Sequence, residues 1–161
     1  MSIDWKLLID VRERQKIAAA GVVTRERQAA DESQAQLRQA QWQVQQKQQH
    51  KDGHWQGTRQ ALAGGQCRVA ELVRAGEWSR ALDAQIAKAS QNAAQAGQAH
   101  ALREQALEES RQRLRAAHGE VEKARQMQQR ARAEALRLVE VRQDEAAGDA
   151  ATRTWALGRP A

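Results

Sequence analysis

The chain has 161 residues, a length that suits one structural unit. Aromatics make up 3%, five Trp with no Phe or Tyr, and alanine supplies about half of the apolar content, so large side chains are too few to fill a thick closed core. The formal net charge is +6 and the isoelectric point about 10.2, which admits nucleic acid, an anionic membrane surface or an acidic protein as a partner. The arginines alternate with glutamates, however, in pairs such as Glu109/Arg113, Glu122/Arg125 and Glu134/Arg137 spaced to meet along a helix. That pattern describes a solvated helix surface with a basic surplus. It lacks the compact basic stripe or aromatic stacking platform of a nucleic-acid binder.

The first helix is expected from Asp4, an N-cap residue type, to about Lys51. Leu7, Leu8 and Val11 cluster in its first turns. Seven-residue steps then run through Ile9, Lys16, Val23, Ala30, Leu37 and Val44, with a poorer companion stripe of Arg12, Ala19, Glu26, Ser33 and Ala40. The glutamine-rich stretch Gln34 to Gln49 contains Leu37, Trp42 and Val44 and reads as a polar helix face.

Residues 52–76 are expected to form an irregular, loop-rich cap. Gly53, Gly57 and the pair Gly64-Gly65 act as breakers. A short turn at Thr58 to Ala63 and a short helix at Gln66 to Arg74, with Val69, Leu72 and Val73 on one side, fit between them.

A second helix is expected over residues 77–147. Steps of three and four from Leu82 pass through Ile86, Ala89, Ala93, Ala96, His100, Arg103, Leu107, Ser110, Leu114, Ala117, Val121, Ala124, Gln128, Ala131, Ala135 and Leu138. All are apolar except His100, Arg103, Ser110 and Gln128, and the flanking positions are mostly Gln, Glu, Arg and Lys. A repeat held this long marks a coiled coil, a rod of roughly 100 Å at 1.5 Å per residue. His100 and Arg103 read as buried polar residues that fix register. Residues 148–161 read as a flexible tail in which Trp155 is a possible partner anchor.

The fold expected is all-α: a long antiparallel two-helix coiled-coil hairpin with a loop-rich cap containing short helices. The second helix exceeds the first by about 20 residues, leaving roughly 30 Å that is unmatched or matched by a partner.

Chemistry-bearing motifs are sparse. No P-loop, His-Glu-x-x-His or paired Cys-x-x-Cys occurs. His50, His54 and Cys67 are too loosely spaced to argue for zinc over polar loop residues and a free thiol. No catalytic residues, cofactor or metal are expected, and the chain reads as a non-enzyme. Cys67, the single cysteine, cannot form an internal disulfide and fits a reducing compartment. No signal peptide or span of about 20 apolar residues is visible. A cytoplasmic location without direct membrane insertion is the expectation.

Three stretches resemble one family. Leu7-Leu8-Ile9-Asp10-Val11-Arg12-Glu13-Arg14 is similar to the opening apolar cluster and charges of the FliJ/YscO family, the stalk proteins of flagellar export and type III secretion. Trp78-Ser79-Arg80-Ala81-Leu82 resembles the aromatic-x-x-x-Leu that begins that family's second helix. Glu120-Val121-Glu122-Lys123-Ala124-Arg125, followed by Arg130 to Asp144 and by Asp149, resembles its charged closing helix. The resemblance implies a two-stranded coiled coil whose paired termini enter the pore of a hexameric export ATPase. It implies that the other end reaches the cytoplasmic ring of the membrane export gate, and that secretion chaperones are further partners. The site would lie on the secretion apparatus at the inner membrane. The gate-binding stripe of the flagellar branch, aromatic, Leu, Ala, His, corresponds to Trp78, Leu82, Gln85 and Ala89, with departures at the last two. The ATPase-facing end is expected to comprise Leu7, Leu8, Val11, Arg12 and Arg14 with Leu138, Arg142 and Trp155. A free-standing coiled-coil adaptor or chaperone scaffold is the alternative, and a basic nucleic-acid scaffold a weaker one.

Overall fold

The computed structural model describes residues 3–159. Met1 and Ser2, and Pro160 and Ala161 of the expected tail, lie outside the described residues. Two helices account for nearly all the rest: α1, Trp5–Ala63, of 59 residues, and α2, Val69–Leu157, of 89 residues. No strand occurs among the described residues.

Both helices begin and end on local chemistry. Asp4 caps α1, its Oδ1 accepting from the Leu7 amide at 3.1 Å while its carbonyl accepts from Leu8 at 3.1 Å. The end of α1 is set by Gly64-Gly65. Gly65 has φ +68°, and the Gln66 amide donates to the Ala61 carbonyl while that of Gly65 donates to Leu62. This is the Schellman pattern, which satisfies the last carbonyls and calls for a residue without Cβ at the left-handed position. Only three residues later Arg68 opens α2. The Glu71 side chain reaches back to accept from the Arg68 amide at 3.0 Å, which is half of a capping box.

The chain divides into two compact units. One joins the start of α1, up to Ala19, with the chain from Arg113 onward; the other spans Ala20–Gln112. In the second unit the helices run antiparallel, because α2 contacts recede as α1 advances: Ser33 meets His100, Lys47 meets Gln85, Lys51 meets Asp83 and Trp55 meets Ser79. In the first unit Glu13 meets Arg125 at 2.6 Å and Arg12 lies 3.9 Å from Glu120.

The heptads decide which residues face inward. In α1 both stripes are half-buried or buried, the poorer one included: Arg12, Ala19, Glu26, Ser33 and Ala40 all turn inward. In α2 the three/four series from Leu82 is inward as far as Ala131, with Arg103 as its exception. Leu82 (1% exposed) and Val121 (0%) are the largest fully buried side chains. Each is worth about 1.5–3 kcal/mol by burial. The other buried residues of the seam are Leu107, four alanines (Ala30, Ala75, Ala89 and Ala124) and three serines (Ser33, Ser79 and Ser110). The three serines show how close the backbones come. Ser33 and Ser110 return their hydroxyl protons to carbonyls three residues earlier, at 2.8 and 2.7 Å, so neither is left unsatisfied.

Three expectations are corrected. There is no loop-rich cap at 52–76: α1 continues through Gly53 and Gly57 to Ala63, and α2 already includes Gly76. A glycine inside a helix costs about 1 kcal/mol, and packing outweighs it here. His54 Nε2 sits 3.2 Å from the Ala75 carbonyl, and Trp55 Nε1 donates to Ser79 Oγ at 3.0 Å. These residues tie the turn that follows Gly53 to α2. The expected tail is also helical as far as Leu157. Ala-rich sequence favours this, and the Thr152 hydroxyl is satisfied within the helix by the Gly148 carbonyl at 2.8 Å. Finally, Arg103 is exposed and does not join His100 in the seam.

Candidate partner-binding surfaces

With a seam this thin, most side chains face solvent, and the informative positions are the apolar ones left outside. Ile17, Trp42, Leu102 and Met127 are exposed singly along the helices, and two groups stand out, one in each unit.

The first group lies where α2 outruns α1. The Arg125–Glu13 pairing places Trp5 level with about residue 133 of α2, and from Arg132 to Arg159 every described residue is exposed. At 1.5 Å per residue, the stretch from Arg132 to Leu157 is roughly 39 Å of helix without an intrachain partner. It carries Leu136, Leu138, Val139, Val141, Trp155 (63% exposed) and Leu157 (86%). Arg159 stacks over the Trp155 ring with its guanidinium carbon 4.4 Å from the centroid, shielding one ring face with a cation.

The residues expected to face an ATPase do not form one patch. Leu7, Val11 and Arg14 are exposed on α1. Leu8 and Arg12 turn toward α2, where Arg12 is engaged by Glu120. Leu138, Arg142 and Trp155 all lie on the unpaired part of α2, beyond the start of α1; Trp155 is about 36 Å along the helix from Ala131. Reading the heptads alone missed Leu136, Val139, Val141 and Leu157. The signal was present: the seam series turns polar at Arg142, Glu145 and Asp149, while another apolar set continues beside it.

At the start of α1 a charge cluster joins the two helices. Glu13 accepts from Lys16 at 2.9 Å and from Arg125 at 2.6 Å. The Lys16 hydrogen bond, with the positive charges of Lys16, Arg125 and His118, holds the Glu13 carboxyl below its ordinary value, against a smaller opposing effect of burial. Glu120 is lowered in the same way, chiefly by its hydrogen bond from Lys123 and by the Lys123 charge, with Arg12 adding to it.

The second group surrounds the turn. Leu62, Val69, Leu72, Val73 and Trp78 are exposed there. A groove of about 570 Å³ runs between the two helices, lined on α1 by Gly53, Gly57 and Ala61 and on α2 by Arg74 and Trp78, with Cys67 and His54 also on its walls. Gly53, Gly57 and Ala61 are four apart, so they share one helix face, and a Cβ on either glycine would meet no atom within 4 Å. The groove therefore exists because that face is bare. Trp78 forms its edge, its ring 6.5 Å from those of His50 and His54 in edge-to-face geometry.

Of the stripe expected to face a gate, Trp78 alone is available. Leu82 and Ala89 are seam residues, and the exposed Gln85 accepts from Lys47 at 3.0 Å. Steps of four, three and four put these residues on one side of α2, but Leu82 and Ala89 within it pack on α1.

Among the described residues, no group of three or more His, Cys, Asp or Glu side chains is placed to hold a metal ion, and no helix is long and apolar enough to cross a membrane. The molecule is thus an all-α pair of long helices with two exposed apolar surfaces. No family model, curated protein or solved structure gives a significant match to the chain.

Proposed function

We propose that the chain is a non-catalytic stalk and adaptor of an export ATPase complex of the type III secretion kind. The observation that carries this reading is the unpaired part of α2. A helix exposed on all sides from Arg132 to Leu157, with Trp155 and a set of leucines and valines on it, is suited to insertion into a partner's cavity. Trp and Arg are favoured anchors in such contacts. The resemblance of the chain's opening, of Trp78 to Leu82 and of the charged closing helix to the FliJ/YscO family specifies the partner: the pore of a hexameric ATPase. The basic surplus suits a pore lined by acidic groups and promotes encounter at low salt.

In this reading Leu138, Arg142 and Trp155 engage the ATPase together with the exposed Leu7, Val11 and Arg14. The surface around the turn, Trp78 with Val69, Leu72 and Val73, faces the export-gate ring and, in turn, secretion chaperones. The location is cytoplasmic, peripheral to the secretion apparatus at the inner membrane. The groove beside Trp78 favours a second reading, a free-standing adaptor that holds a partner segment there.

The test is titration of the cognate hexameric ATPase with the purified chain. Hexamer formation and ATP hydrolysis should rise, and the triple variant Leu138→Glu/Arg142→Glu/Trp155→Ala should abolish the effect while keeping its helical circular dichroism. An intact chain that neither binds the ATPase nor alters its hydrolysis would overturn the stalk reading. Retention on DNA without ATPase binding would point to a basic scaffold instead.

A further inference from the structure

The unpaired part of α2 has a composition that suits one occupant in particular. At 100° per residue, Leu136, Val139, Ala146, Ala150 and Leu157 fall within about 80° of one another, a continuous stripe interrupted by Gln143. None of Glu140, Arg142, Asp149 and Arg153 has an ion-pair partner among the described residues. A lone helix has no use for such a stripe, and a second helix laid against it must answer those charges.

We propose that a second copy of this chain covers the stripe, the two α2 extensions pairing antiparallel about a two-fold axis. Levelling Gln143 with Ala146 of the second copy interleaves the stripes: Val139 meets Ala150, and Leu136 meets the aliphatic stem of Arg153. In this register Arg142 and Asp149 of the second copy differ by about two residues of height, roughly 3 Å along the axis. The pair occurs twice by symmetry. Arg153 lays its aliphatic stem over Leu136 and keeps its guanidinium in solvent at the edge of the pair. Gln143 falls beside the axis, where a polar core residue fixes register.

The length of the extension supports the same arrangement. In this register Leu157 of one copy lies level with Arg132 of the other, where α1 begins. The start of α1 is fixed by the Asp4 cap, and the end of α2 by Gly158, whose amide closes the last turn on the Thr154 carbonyl at 3.0 Å. Antiparallel pairing therefore brings the carbonyl end of one α2 to the amide end of the other copy's α1, with both helices pointing the same way, and opposite helix-end charges meet. The stripe is covered along its length in both copies, while Leu138, Val141 and Trp155 lie on the other side of the helix and stay exposed. Such a closed two-fold contact is the commonest kind of homo-oligomer. Self-pairing and insertion into an ATPase then compete for the same stretch of helix.

Sedimentation equilibrium of the full chain from micromolar to several hundred micromolar tests this. The expected result is a concentration-dependent rise toward twice the 18.0 kDa chain mass. Arg142→Asp or Asp149→Arg alone should weaken the dimer by about tenfold or more, because each places like charges together at two symmetric contacts. The double variant Arg142→Asp/Asp149→Arg should restore it. All these positions are exposed, and unchanged helical circular dichroism confirms the fold of each variant. A chain that stays monomeric throughout overturns the proposal. So does a dimer indifferent to the single reversals or not restored by the double one. The measurement uses the chain alone, so its failure leaves the ATPase reading untouched, and the reverse also holds.

Discussion

Ser33 of α1 and His100 of α2 meet inside the seam, Oγ to Nδ1 at 2.8 Å, the one hydrogen bond between a buried serine and a half-buried histidine across these helices. Ser33 also lies 2.8 Å from the Ala30 carbonyl, and His100 Nε2 lies 3.3 Å from the Glu104 carboxylate. Hydrogen bonds depend on alignment in a way that methyl contacts do not. In a seam made largely of alanine, this pair defines which turn of α1 faces which turn of α2. Ser33→Ala leaves a ring nitrogen unanswered and is expected to destabilise the protein by about 1–2 kcal/mol. In a double-mutant cycle with His100→Ala, followed by urea unfolding, most of that loss should appear as coupling between the two sites.

Glycine substitutions separate the helix interior from the turn. Gly53 and Gly57 have helical backbone and open space where a Cβ would go. Gly53→Ala and Gly57→Ala should each raise stability by about 0.5–1 kcal/mol. Gly65 has equally open space but φ +68°, so Gly65→Ala should lower stability by about 1 kcal/mol. Thermal melts of the three variants read this directly, and opposite signs at residues with the same free space would isolate the backbone term.

Glu26 stands in the α1 stripe that faces α2, and its Oε2 is buried without a hydrogen-bond partner. An orphaned buried acceptor costs about 1–3 kcal/mol. Glu26→Leu, which also adds apolar surface to the seam, should raise the urea midpoint. A lower midpoint would mean that the carboxylate contributes more through its charge than it loses by burial.

Acid should loosen the start of α1 first. The Glu13 and Glu120 carboxyls are both held below their ordinary value of 4.5 by neighbouring cations. The folded state therefore binds fewer protons than the unfolded one, and the stability these groups add is present above pH 4.5. It is lost as the pH falls from there through the lowered folded values. Hydrogen exchange of the first turns of α1 should accelerate over that interval. In Glu13→Gln the acceleration should shrink.

Burial separates the seam from the docking surface. Leu82→Ala should cost about 2–5 kcal/mol, since Leu82 is 1% exposed. Trp155→Ala should leave the melting temperature within a degree or two of the parent, since its ring projects into solvent, and should instead weaken capture by a partner.

Much of this architecture can be read in the sequence. The long repeat in α2 needs no tertiary information, because a three/four alternation allows one face only. The weaker stripe of α1 is legible too, although Arg12 and Glu26 look unsuited to a seam. The turn regions read less well. Gly53 and Gly57 look like breakers, and what overrides them is non-local: Trp55 finds Ser79, and His54 finds the Ala75 carbonyl. No local pattern announces those contacts. The extension is partly legible. The excess length of α2 follows from the repeat, but the apolar stripe starting at Leu136 follows the 3.6-residue period of a straight helix, whereas the seam follows heptads, so heptad counting steps past it.

The tight connection from Gly64 to Arg68 sets the order in which the helices can assemble. Residues flanking it are close neighbours along the chain, while each later contact spans a longer loop: Trp55–Ser79, then Ser33–His100, then Glu13–Arg125. Loop-closure entropy grows with that separation, so pairing starts beside the turn and zips away from it, each formed contact shortening the loop for the next. Residues at the start of α1 are made before those of α2 that they meet, and are paired last.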